Sequence, residues 1–88
     1  MSERDRADAS HHRLYWHSRR GMLELEFLLI PFVEERLSAL GDQARERYAE
    51  LLSHEDWEIF DWIQGREVPP AHLAEVVSAI VEHNNRQR

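Results

Sequence analysis

Apolar residues recur along this chain at the spacing of helix faces. Met22, Leu25, Leu29, Phe32, Val33 and Leu37 step by three or four residues and predict a helix running to about Leu40. Pro31 lies inside it, where proline removes one backbone donor and crowds the carbonyl of Phe27, so a kink or break is expected there. Upstream, Ser10 is placed to cap a short helix through about Arg20, with Leu14 and Tyr15 or His17 inward and Trp16 nearby. Gly21 marks the break between the two. Downstream, Gly41 stops one segment and Asp42 caps the next, whose inward positions are Ala44, Tyr48, Leu51 and Leu52. Ser53 and Asp56 resemble a capping box with aspartate in place of glutamate, opening a fourth helix that Gly65 ends. Its face is Ile59, Phe60 and Ile63; Phe60 reads as core, Trp62 as intermediate and Trp57 as core edge. Pro70 suits the first turn of a fifth helix, carried by Leu73, Val76, Val77, Ile80 and Val81. The fold expected is all-α, a compact bundle of about five short helices. Residues 1–12 read as a flexible polar extension and residues 13–88 as a single helical domain.

Composition narrows the function classes. At 88 residues the chain has room for one domain, and strand signals are nearly absent. It has no cysteine, which removes disulfides, thiol nucleophiles and thiolate metal sites together. It has no lysine either, so Schiff-base chemistry is excluded. No apolar run approaches the roughly 20 residues of a membrane span, and the polar start lacks the features of a signal or transit sequence. No membrane insertion and a cytoplasmic location are therefore expected. The net charge of −6 argues against nucleic acid, whose binders concentrate positive charge on phosphates. From Gly21 onward 14 acids face 6 arginines; only the first twenty residues run the other way.

Catalytic and metal constellations are missing. The six histidines form no pair at metal-binding spacing with a third ligand, so no metal site is expected. The three glycines stand far apart, at positions 21, 41 and 65, and make no phosphate loop. Glu24 and Glu26 point about 200° apart on a helix and cannot share a substrate. Small helical mutases surround a dicarboxylate with several cations, usually including a lysine; here the arginines cluster only at positions 19 and 20. No catalytic residue is assigned.

The stretch Arg19-Arg20-Gly21 running into Met22-Leu23-Glu24 stands out by its charge against an apolar segment. Capping explains part of it. Arginines in a last helical turn and a glutamate in the next first turn complement the helix dipoles, roughly 0.3–1 kcal/mol each, and glycine takes a left-handed stop cheaply. Docking explains it as well. If Arg20 belongs to the second helix it lies four residues before Glu24, and Gly21 between them leaves a bare notch for another backbone. Residue types alone leave the two accounts level.

The segments SRRGMLELEFLLIPF and LLSHEDWEIFDWIQGREVPP resemble the succinate dehydrogenase assembly factor family, the small flavinylation chaperones. The first carries an Arg-Gly-x-x-Glu signature at Arg20, Gly21 and Glu24. The second carries a Leu-Leu…Asp…Phe-x-Trp-(Leu/Ile) pattern at Leu51, Leu52, Asp56, Phe60, Trp62 and Ile63. The resemblance extends from about Arg13 to Asn85; Glu26 departs from it mildly, standing where aspartate is commoner. It implies a non-enzymatic assembly factor that binds the flavoprotein subunit of succinate dehydrogenase, or of fumarate reductase, and promotes covalent attachment of FAD to a histidine there. The cofactor is then handled on the partner and not held stably by this chain. On this reading Arg20 and Glu24 are polar anchors at the partner interface, Gly21 permits close approach, and Arg19, Met22 and Trp16 flank them. An antitoxin-like or cell-division-related interaction module is the alternative, ahead of a small helical enzyme and a DNA-binding regulator.

Overall fold

In the computed structural model residues 11–86 are described, and among them every regular element is helical. α1 covers residues 11–17, α2 Leu23–Glu35, α3 Asp42–Leu51, α4 Asp56–Gln64 and α5 Ala74–Arg86. Short 3₁₀ turns at Leu37–Ala39 and Ala71–Leu73 follow α2 and precede α5. Residues 1–10, and with them the expected cap Ser10, lie outside the described residues; His11 and His12 are already helical.

One core joins all five helices. Leu14 comes from α1, Leu25, Leu29, Phe32 and Val33 from α2, Tyr48 and Leu51 from α3, Ile59, Trp62 and Ile63 from α4, and Val76, Val77 and Ile80 from α5. These are the inward stripes that the spacing predicts, except in α4, where Trp62 takes the core place expected of Phe60. Phe32 lies at the middle, 5.6 Å between ring centroids from Tyr48 and 6.0 Å edge-on from His83. α5 packs across α2, α3 and α4. The Asn84 amide ties it to α2 by donating to Leu28 O at 3.1 Å, beside the gap that Pro31 leaves at Phe27 in the hydrogen-bond ladder.

Several boundaries differ from expectation, each for a physical reason. α1 stops at His17: Ser18 still bonds back to Leu14 O at 2.7 Å, but Ser18 and Arg20 then turn to partners in α3 and α4. α2 continues through Pro31 with no break and ends at Glu35, the 3₁₀ turn carrying Leu37 into the core. Gly41, not Asp42, caps α3. The capping box of α4 is Glu55 with Glu58, whose carboxylate accepts the Glu55 N–H at 3.3 Å; Ser53 instead donates to Glu50 O at 2.6 Å. That register sets the tryptophans. Ile59, Trp62 and Ile63 share the inner stripe, Phe60 falls on its flank, and Trp57, about 200° from Ile59, is 62% exposed instead of edging the core. Gly65 ends α4 in the left-handed region at φ 78°, and Pro70 caps the 3₁₀ turn ahead of α5.

Candidate partner-binding site at the α1–α2 junction

Residues 18–22 form the turn between α1 and α2, and its side chains divide into an inner and an outer set. Ser18 is fully buried and hydrogen-bonds the Tyr48 hydroxyl. Since Ser18 donates to Leu14 O, the Tyr48 O–H donates to Ser18 Oγ. Burial holds the Tyr48 phenol neutral well above its ordinary range, against smaller downward pulls from the Ser18 hydrogen bond and the Arg20 charge.

Arg20 is also turned inward. Its Nε donates to Asp56 Oδ1 at 2.6 Å, Nη1 to Leu52 O at 2.8 Å and His17 O at 3.2 Å, and Nη2 to His54 O at 2.8 Å. Leu52 and His54 follow the C-terminus of α3, where carbonyls lack helical partners, and Asp56 opens α4. One planar guanidinium therefore satisfies three carbonyls and a carboxylate, joining α1 to the α3–α4 corner. The Arg20–Glu24 pair expected at helical spacing is not made: α2 starts at Leu23, so Arg20 is outside that helix, and its charge is paired with Asp56.

The outer set faces solvent. Glu24 lies exposed in the first turn of α2. Arg19 stands with its guanidinium 5.8 Å from the Trp16 ring centroid and 3.7 Å from Glu26 Oε1, linking α1 to α2 across the turn. Trp16 is 53% exposed and donates its indole N–H to His12 at 2.8 Å. Met22, the N-cap of α2, is half-buried against the core. Gly21 is exposed, and a Cβ built on it would meet nothing within 4 Å. Its φ is not positive; among the described glycines only Gly65 has that conformation. The left-handed stop expected of Gly21 is therefore not its role, and nothing inside the fold demands glycine there.

A cleft of about 1270 Å³ opens beside this turn, between α1 and α3. Arg13, Trp16 and Arg19–Gly21 form one wall, Asp42, Arg45 and Glu46 the other. Within it Arg45 Nη2 stands 3.6 Å from Asp42, and its buried Nε has no hydrogen-bond partner among the described residues. Among those residues no cluster of three or more histidine or acidic side chains could hold a metal ion, and no helix is long and apolar enough to cross a membrane.

The six residues singled out in the sequence thus lie together, with Arg20 bound on the inner side and the other five at or near the surface. What spacing alone misses is the Arg20–Asp56 link. Its signal lies in the two motifs themselves, each of which contains one member of the pair.

Residues 12–84 match the family described as flavinator of succinate dehydrogenase. The chain belongs to that family. A relative described as FAD assembly factor SdhE from Pseudomonas savastanoi pv. phaseolicola is 47% identical over 76 residues, 85% of this chain and 90% of its own length. The factor of the same description from Photobacterium profundum is 47% identical over 75 residues, covering 83% and 84%. One from Legionella pneumophila strain Paris is 40% identical over 68 residues, covering 77% and 86%. The matched span of this chain runs from α1 nearly to the end of α5, so it includes the turn, the cleft and the Arg20–Asp56 link.

Proposed function

We propose that the protein is a flavinylation factor that grips the flavoprotein subunit of succinate dehydrogenase through the outer face of the α1–α2 turn. Gly21 and Glu24 make the central contacts, with Arg19, Met22 and Trp16 around them. Arg20 serves the same surface from behind, as the anchor that sets the turn against α3 and α4. The observation that carries this reading is Gly21: an exposed glycine with ordinary backbone geometry and open space around it. Neither packing nor conformation accounts for glycine, whereas a client backbone seated on the turn needs a position without a side chain.

The protein contributes position and not bond-making. The flavin, when present on the client, supplies the chemistry of its own attachment, and the helper holds the client so that acceptor histidine and flavin meet in a reactive arrangement. FAD is not held stably by this chain, which offers no glycine-rich phosphate cradle. The reading includes a cytoplasmic site of action.

The test is covalent flavin on the succinate dehydrogenase flavoprotein subunit, followed by in-gel fluorescence in a host carrying variants in place of the wild-type gene. Gly21→Arg and Glu24→Ala are expected to remain folded, to stop co-purifying with the subunit, and to lower bound flavin about tenfold or more. Wild-type flavin with folded Gly21→Arg protein overturns the reading.

A further inference from the structure

α2 is apolar on two sides, and the fold covers only one. Leu25, Leu29, Phe32 and Val33 face the core and are fully buried. Leu23 and Phe27, one helical turn apart, point the other way and are 59% and 67% exposed. Ile30, half-buried, continues the same row at i+7. A surface helix ordinarily turns polar side chains to water on that side. Of the other large exposed apolar side chains, Trp57 and Val68 stand apart from this row in sequence and element, and Trp16 belongs to α1, across the turn. Glu24 flanks the row near one end and Glu34 the other, both exposed, and α2 contains no basic residue.

We propose that the row Leu23–Phe27–Ile30 is the apolar half of the client interface and seats in an apolar groove of the flavoprotein subunit whose rim is basic. This rests on the reading of Gly21 and Glu24 given above and extends it along α2. Three observations select that occupant. The row starts two residues after Gly21, and Glu24 lies three residues before Phe27 on the adjoining strip of helix, so turn and row form one continuous surface. Anchors at i, i+4 and i+7 are the pattern by which a helix is received in a groove. The flanking carboxylates disfavour a second copy, because a two-fold contact places the same patch against itself and brings like charges together.

Titration calorimetry of the purified protein against the purified flavoprotein subunit tests this, with thermal melts to verify folding. Leu23→Asp and Phe27→Asp are each expected to weaken binding about tenfold or more while leaving the melting temperature near wild type; Phe27→Leu is expected to stay within about twofold. Glu34→Arg, which reverses the rim charge, is expected to weaken binding as well. Normal binding by both aspartate variants, with folded Gly21→Arg binding poorly, overturns the row and leaves the turn standing. Normal binding by Gly21→Arg too overturns the reading of the turn and the row with it. Unchanged affinity for Glu34→Arg removes the basic rim. If light scattering shows a wild-type dimer that Phe27→Asp splits without altering client affinity, the row belongs to a second copy and the proposal is overturned.

Discussion

Arg20 shows how one side chain of the Arg-Gly-x-x-Glu motif serves the fold. Its donors satisfy Leu52 O, His54 O, His17 O and Asp56 at once, and its side chain is only 17% exposed. Truncation leaves those acceptors without their cation, so Arg20→Ala is expected to cost about 2 kcal/mol in urea unfolding. Arg20→Lys should recover only part, since an ammonium cannot reproduce the fork. A loss under about 0.5 kcal/mol for Arg20→Ala would show the link to be idle. Tyr48 gives a second expectation, in pH. Its buried phenol stays protonated where the unfolded chain ionises, from its ordinary value of 10.0 upward. Above that pH the native state holds the extra proton, so stability is expected to fall as pH rises. Tyr48→Phe should begin less stable at neutral pH by about 1 kcal/mol, having lost the Ser18 bond. Its alkaline limb should then be flatter than that of the wild type. Parallel limbs in pH-dependent urea melts would contradict the assignment.

Two glycines differ in what the fold asks of them. Gly65 sits at φ 78° closing α4, where alanine is strained by about 1–2 kcal/mol. Gly21 has neither that conformation nor a crowded neighbour. Gly65→Ala is therefore expected to lower the melting temperature clearly and Gly21→Ala hardly at all, a contrast read in one pair of thermal scans. The reverse order would return Gly21 to a structural role. The helices themselves were legible because inward residues recur at the helical period within α2 to α5, each nine or more residues long. Their ends were less so. α1 stops where Ser18 and Arg20 leave it for partners 30 and 36 residues away, a cause that no local pattern contains. The cap of α4 and the side taken by Trp57 follow from a register fixed at Glu55, two residues from the serine that local chemistry favours.

For the molecule as a whole, the candidate site was legible as a place more than as an arrangement. Trp16 to Glu24 are consecutive enough that any helical pairing brings them to one junction, and the structure does so. The division into an inner Arg20 and an outer Gly21 and Glu24 depends on Asp56, a distant residue, and stays hidden until the bundle closes. The outward row on α2 was visible in principle. Leu23, Phe27 and Ile30 keep helical spacing, but the stronger inward stripe dominates the same segment.

The grip of Arg20 on residues 52–56 also bears on how this surface meets anything. A connecting loop left to itself samples many shapes, and a visitor must freeze them on arrival. Here the junction is bolted to a neighbouring corner before any encounter, so docking surrenders little chain freedom at that point and contact energy goes into holding the complex together.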